Sequence, residues 1–163
     1  MKAPGAALPP RIVSGGQTGV DRGALDATLE LGVDCGGWCP EGRLAEDGRI
    51  ADRYPLVELA GAGYLERTER NVLDSDATLI VYGKDLEGGT AETLRLCRQH
   101  AKPCLLIRAD RTSVASAAAE LRRFLQGRAI RVLNVAGPRA SKWPGAQEYA
   151  YNVIRELYRH DIA

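Results

Sequence analysis

One stretch constrains this chain more than any other: Arg11-Ile-Val-Ser-Gly-Gly-Gln-Thr-Gly-Val-Asp-Arg-Gly23. Ile12 and Val13 read as a short apolar strand. Gly15, Gly16 and Gly19 make a glycine-rich turn, and a helix begins near Val20. Such a turn lets the backbone approach a ligand closely. The unpaired amides and positive dipole end of the helix that follows favour an anion. The stretch therefore predicts a strand–turn–helix unit with an anion at the end of the strand.

The rest of the chain repeats the alternation. Val20, Ala24, Ala27 and Leu31 recur at helical spacing, so Val20–Leu31 is predicted helical and Gly32 ends it. Val33–Trp38 reads as the second strand. Cys39–Pro55, rich in turn formers and charges, reads as a long irregular loop of the kind that carries function. Tyr64–Asp74 is predicted to be a helix with Arg67, Asn71 and Asp74 on one polar face. Thr78–Tyr82 is an apolar, buried strand, and Glu87-Gly-Gly-Thr90 is a second glycine turn leading into a helix to about Ala101. Pro103–Ile107, Val114–Leu125 and Ile130–Val135 read as strand, helix and strand. Pro144 suits the first turn of a closing helix. Strands alternating with helices imply an α/β fold, an open and mostly parallel sheet with helices on both faces.

Composition narrows the function. A chain of 163 residues with a formal net charge of +1 is one domain without a polybasic arm, which argues against nucleic acid as partner. The expected division is a flexible tail over residues 1–10, which hold three prolines, and a ligand-binding domain over 11–163. No run approaches the ~18 apolar residues of a membrane span, and nothing resembles a signal peptide. Four scattered cysteines (Cys35, Cys39, Cys97, Cys104), with both histidines far away in sequence, fit neither a disulfide framework nor a zinc site. A reduced, cytoplasmic protein without a metal is expected.

In open sheets of this type, ligands bind beyond the carboxyl ends of the strands, where strand order reverses. The two glycine turns, each with a nearby threonine (Thr18, Thr90), are expected to converge there if their strands are neighbours. Neither turn is a named nucleotide motif. Gly-Gly-Gln-Thr-Gly has no Walker lysine and lacks the dinucleotide spacing, so hydride transfer with NAD is not expected.

Ser14-Gly-Gly-Gln-Thr-Gly-Val-Asp-Arg-Gly-Ala-Leu-Asp26 resembles the opening motif of the family known as putative molybdenum carriers. The likeness continues in Gly37-Trp-Cys-Pro-Glu-Gly-Arg43, Ala45-Glu-Asp-Gly48, Arg67-Thr-Glu-Arg-Asn-Val-Leu-Asp-Ser-Asp76, Gly88-Gly-Thr90 and Leu133-Asn-Val-Ala-Gly-Pro-Arg139. The resemblance implies a Rossmann-like fold, related to the lysine decarboxylase-like phosphoribohydrolases and nucleotide-sensing domains. It implies molybdenum cofactor or molybdate as bound cargo, and a homo-oligomer, dimer or tetramer. Those hydrolases carry a longer Pro-Gly-Gly-x-Gly-Thr-x-x-Glu loop. Glu87-Gly-Gly-Thr-Ala-Glu92 lacks the inserted residue and the second glycine, so a cradle is expected without the hydrolytic machinery.

The candidate binding residues follow. Gly15, Gly16, Gln17, Thr18 and Gly19 belong to the first turn, and Gly88, Gly89 and Thr90 to the second. Arg22 sits at the disfavoured positive end of its helix, which points to a carboxylate or ligand beside it. Arg43, Arg67 and Arg139 carry guanidinium groups suited to oxyanions. Cys39 is the thiol candidate for metal coordination or nucleophilic attack. Glu46, Asp47 and Glu92 are candidate acids or bases for the alternative, a nucleotide-processing hydrolase. Tyr151 and Tyr158 fall off the core stripe of the last helix and hint at a subunit interface.

Overall fold

Strands apolar on both faces have to be covered from both sides, and this chain supplies five helices for the five strands of its main sheet. The computed structural model describes residues 8–9 and 11–159. In chain order the elements are β1 (Arg11–Val13), α1 (Val20–Leu31), β2 (Asp34–Gly36), β3 (Trp38–Pro40), β4 (Leu44–Ala45), β5 (Gly48–Arg49), β6 (Val57–Leu59), α2 (Tyr64–Leu73), β7 (Ala77–Tyr82), α3 (Gly88–Gln99), β8 (Cys104–Arg108), α4 (Val114–Leu125), β9 (Val132–Ala136) and α5 (Ala146–Arg159). The main sheet has the order β2-β1-β9-β7-β8. Each of its pairings is parallel.

The chain leaves β1 for β2 in one direction and β7 for β8 in the other. Right-handed crossovers then put α1 and α3 on opposite faces. Helices α1, α4 and α5 cover one face. There Ile12, Leu79, Val81, Leu133 and Val135 meet Ala24, Ala27, Leu121, Ala150 and Ile154 in the main core. On the other face α2 packs on α3, with Val72, Leu96 and Cys97 buried between them. The α/β expectation holds, with one change at the switch point. β1 and β7 are not neighbours, because β9 lies between them and pairs with both.

The second strand also differs from its expected form. Val33–Trp38 is two strands, β2 and β3, broken at Gly37. Gly37 has φ 130°, and a Cβ there would lie 2.1 Å from the Ser14 carbonyl oxygen. Past this glycine the chain leaves the main sheet, and β3 pairs with β6 in a separate two-stranded parallel sheet. The polar face of α2 anchors that departure. Asn71 Oδ1 accepts from the Trp38 amide at 2.9 Å and Asn71 Nδ2 donates to the Trp38 carbonyl at 3.0 Å. The Trp38 indole donates to Asp74 at 2.8 Å. The loop expected to be irregular contains β3, a 3-10 turn over Glu41–Arg43 and the β4–β5 hairpin. It closes over a second core of Leu25, Cys35, Cys39, Ile50, Tyr54 and Leu56.

Of the tail expected over residues 1–10, only Leu8 and Pro9 lie among the described residues. Leu8 packs on the main core and the Pro9 carbonyl accepts from the Tyr158 hydroxyl at 2.6 Å. The two tyrosines read as interface residues are engaged within the chain: Tyr158 is buried, and Tyr151 donates to Glu30.

Candidate functional site

The first glycine turn already holds an anion, and the anion is the chain's own. The Gln17 amide donates to Asp21 Oδ2 at 3.2 Å. The Gly16 amide donates to Ser14 Oγ at 3.3 Å, and the Val20 amide to the Pro138 carbonyl at 3.3 Å. The donors that a strand–turn–helix start leaves open are thus largely taken by Asp21, Ser14 and the loop after β9. Thr18 is taken as well, its hydroxyl donating to Glu46 and accepting from the Ala140 amide at 3.1 Å. Gly19 lies directly under the Pro138–Ala140 backbone. Arg22 donates to the Gly16 carbonyl at 3.0 Å and makes a two-pronged pair with Asp47. The carboxylate expected beside Arg22 is therefore Asp47.

The second turn is open. Helix α3 begins at Gly88 with Glu87 as its N-cap and no side-chain cap hydrogen bond. Its start faces a cleft of about 840 Å³ beyond the carboxyl ends of β1, β9 and β7. Gly88, Gly89 and Thr90 line one wall. Gln17, Asp21 and Arg67 line another, and Tyr64, Arg139 and Trp143 line it between them.

Arg67 is the centre of this arrangement. Its side chain is 12% exposed, and its nearest anionic atom among the described residues is Asp21 Oδ2, 3.9 Å from Nη1 and beyond hydrogen-bond reach. Its Nε is buried without a hydrogen-bond partner. Burial, with Arg139 close by, pulls its guanidinium below its usual value despite the attraction of Asp21. Gly15 makes room for it: a Cβ on Gly15 would lie 1.9 Å from Arg67 Nη1. Arg139 sits with its guanidinium carbon 4.8 Å from the Tyr64 ring centroid, and Arg67 lies 5.9 Å from the same ring. Two guanidinium groups therefore converge on one tyrosine, with one buried carboxylate facing them inside the cleft.

That carboxylate is perturbed. Asp21 is 4% exposed, and burial pushes it up to about 6 in spite of Arg67, the Gln17 amide, Arg22 and the Gly15 amide, which all pull it down. The carboxylates proposed as acids or bases behave oppositely. Hydrogen bonds from Ser141 and Thr18 hold Glu46 below its usual range. Arg22 does the same to Asp47 and Arg95 to Glu92. None of the three is a poised acid at neutral pH, although Glu92 does line the cleft.

Two further candidates serve the fold. Arg43 is buried and gives its donors to carbonyls, Nε to Ile50, Nη1 to Leu56, and Nη2 to Ala51 and Tyr54, at 2.8–3.1 Å. A guanidinium with four of its five N–H groups so committed is held inside the fold and away from the cleft. Cys39 is fully buried in β3 rather than at the cleft mouth, and burial pushes its thiol up. A buried, protonated thiol is a poor nucleophile. No group of three or more His, Cys, Asp or Glu side chains suited to a metal ion is found among the described residues.

Sequence reasoning left Asp21, Tyr64 and Trp143 out of the site. Asp21 reads as a helix-dipole residue, and only the fold brings Arg67, 46 positions later, to its side. The clue that existed was the polar face of α2, of which Asn71 and Asp74 hold Trp38 and Arg67 turns to the cleft.

Comparison with known proteins agrees with this fold. No curated protein matches the chain. The crystal structure titled "Putative molybdenum carrier protein" from Syntrophus aciditrophicus SB superposes with a TM-score of 0.89 at 44% identity. The match covers 94% of this chain and 96% of that one. The family model described as circularly permutated YpsA SLOG matches residues 12–158, from the first strand through the last helix. With both glycine turns and the cleft inside the matched region, this chain belongs to the circularly permutated YpsA SLOG family.

Proposed function

We propose that the protein is a binding or carrier protein for a phosphorylated small molecule, taken up in the cleft between α2, α3 and the loop after β9. The observation that carries this reading is Arg67, a buried guanidinium with an unpartnered Nε and no carboxylate within hydrogen-bond reach. Within the cleft Arg67 and Arg139 face the single buried carboxylate of Asp21. Glu46, which also attracts Arg139, is spent on Thr18 and Ser141. Buried charge is costly until it is paired, and an incoming anion supplies the missing pair. The uncapped start of α3 offers its amides to the same ligand.

Size selects among anions. A cleft of about 840 Å³ falls in the ~300–1,000 Å³ range that holds drug-sized ligands. A bare oxyanion such as molybdate would leave most of it empty. An organic phosphate, a nucleotide or molybdopterin, fills it. The second of these agrees with the name of the Syntrophus protein. A homo-oligomer acting in the cytoplasm is part of this proposal, and native mass spectrometry reads both oligomer size and retained cargo.

Thermal-shift measurement against phosphate, molybdate and nucleotides tests the reading. A ligand at 100 times its Kd adds ~2.7 kcal/mol of stability, a rise of several degrees in Tm for a chain of this length. Arg67→Met should abolish the rise. No shift with any anion, or the same shift in Arg67→Met, refutes the proposal.

A hydrolase acting on a phosphorylated ligand is the second reading. It draws on one observation, the cleft carboxyl of Asp21 titrating near 6, in the range of a general acid. Turnover of a nucleoside monophosphate lost in Asp21→Asn would favour it.

A further inference from the structure

Two thiols meet outside the cleft, and neither lines it. Cys97 is fully buried near the end of α3. Cys104 opens β8, the edge strand of the main sheet, and is partly exposed. Cys104 packs against the small core of Val72, Leu96 and Cys97, and its thiol donates a hydrogen bond to Cys97 Sγ. A second donor reaches the same sulfur. Thr78 of β7 is the strand neighbour of Cys104, and its hydroxyl donates to Cys97 Sγ. Thr78 Oγ1 in turn accepts from Asn134 Nδ2 of β9 at 3.3 Å. The backbone fixes this meeting. The Lys102 amide donates to the Cys97 carbonyl at 2.9 Å, and Lys102 Nζ donates to the Ser75 carbonyl at 2.9 Å. Ala101 beside it takes φ 54°, in the left-handed region that turns the chain from α3 to β8. Sulfur already faces sulfur across this turn.

A thiol buried among hydrocarbon is normally pushed up, as Cys39 is. Cys97 goes the other way. The hydrogen bonds from Cys104 and Thr78 outweigh burial and pull it below its usual value. Such bonds are strongest to a charged sulfur, so the two cysteines hold one proton between them once the first has left. We propose that Cys97 and Cys104 are a redox-active dithiol, oxidised to an intramolecular disulfide by a low-molecular-weight disulfide and restored by small thiols. Cys104 is the entry point because it is the exposed sulfur, and Arg98 nearby favours its thiolate. Cys104 passes its proton to Cys97 Sγ across the existing hydrogen bond and attacks one sulfur of the small disulfide. That S–S bond breaks, and the departing thiolate takes up the proton from Cys97. The Cys97 thiolate then attacks Cys104 Sγ, which closes the protein disulfide and displaces the second small thiolate. Two protein thiols are oxidised, and one small disulfide is reduced to two thiols. Cys97 lies roughly 14 Å along α3 from Gly88, at ~1.5 Å per residue, so the pair does not depend on the anion reading.

Incubation of the full chain with glutathione disulfide, followed by acid quenching, alkylation under denaturing conditions and intact-mass measurement, tests this. The expected product has lost two of its four alkylatable thiols and carries no glutathione. Digestion should yield Cys97 and Cys104 as one linked peptide pair. Cys35 and Cys39, buried in the second core, should stay free. Dithiothreitol should restore all four thiols. Cys97→Ser should stop at one glutathione adduct on Cys104, because no second sulfur displaces it. Cys104→Ser should resist oxidation at Cys97, because the remaining sulfur of the pair is buried. The wild-type result stands without either variant, so a folding defect in one leaves the test intact. Four free thiols after exposure, a lasting glutathione adduct on the wild type, or a disulfide through Cys35 or Cys39 overturns the proposal.

Discussion

Replacing Asp21 by asparagine should make the free protein more stable at neutral pH while impairing its site. Asp21 is buried in the first turn of α1, facing Arg67 from α2, Arg22 from its own helix and the amides of Gly15 and Gln17. Even with these partners, burial leaves it titrating near 6. An aspartate in the unfolded chain titrates near ~3.9, so at ~1.4 kcal/mol per pH unit the ionised carboxylate costs the folded state about 3 kcal/mol. The sign follows from the raised value. Below about pH 4 both states hold the proton and nothing is lost. As pH rises from ~4 to ~6 only the folded state still holds it, so stability falls, and above that the penalty is constant. Asparagine keeps an acceptor for the Gln17 amide and carries no charge. For a chain of this length ~3 kcal/mol corresponds to roughly 6–12 °C in Tm, which differences between amide and carboxyl hydrogen bonding lower to roughly 5 °C or more. Calorimetric scans from pH 4.5 to pH 8 should show the variant gaining over wild type as pH rises, with a gain at pH 4.5 of only ~1 kcal/mol. A Tm unchanged or lowered at pH 8, or a difference independent of pH, would refute the reasoning: Asp21 would then be a net stabilising partner of Arg67. A gain in stability on removing a buried charge is the trade-off expected where a functional site is built under strain.

The remaining predictions concern the groups around this carboxylate. Gly15→Ala should leave Tm within a few degrees, because its Cβ meets only the end of a flexible side chain, yet it should displace Arg67 and weaken phosphate binding at least ~10-fold, about 1.4 kcal/mol, by titration. Arg43→Ala should cost ~3–5 kcal/mol in urea unfolding, since it strands four carbonyls and the second core around them. Arg43→Lys should recover little of that, a single ammonium being unable to span the four. Glu46 is held below its usual range by Ser141 and Thr18. Its contribution is therefore present above the ordinary glutamate value and lost as pH falls below it. Protection of the β4–β5 hairpin amides, corrected for the slower intrinsic exchange in acid, should fall on acidification, and Ser141→Ala should move that fall to higher pH.

Much of the fold is legible in the sequence because it depends on local signals. The periodicity of α1, α4 and α5 and the apolar run of β7 each report a buried face, and the alternation of elements implies a parallel sheet. The break at Gly37 is not legible, since it arises from the Ser14 carbonyl meeting a residue 23 positions away. Strand order is hidden for a related reason. The chain places β9 last in sequence and centrally in space, between β1 and β7, and only long-range packing decides that. The site divides along the same line. Gly88–Thr90 and the β1–α1 turn announce themselves as loop chemistry. Whether an arginine binds ligand or holds the fold is a question of what else lies within reach. Arg22, Arg43 and Arg67 look alike in sequence. Arg22 meets Asp47, Arg43 meets four carbonyls, and Arg67 meets neither.

The two glycine turns have consequently different roles, although they look equivalent as strings of residues. In the first, Asp21 and Ser14 take the turn amides and the Pro138 carbonyl takes that of Val20, so the turn is satisfied before any ligand arrives. What it presents to the cleft is the residues Gln17 and Asp21. In the second, the start of α3 has no side-chain cap and presents backbone amides, which attract anions of any kind. A change in the first turn should act on a ligand through Gln17 and Asp21. A change at the second should weaken every anionic ligand alike, because an amide donor cannot tell one phosphate from another.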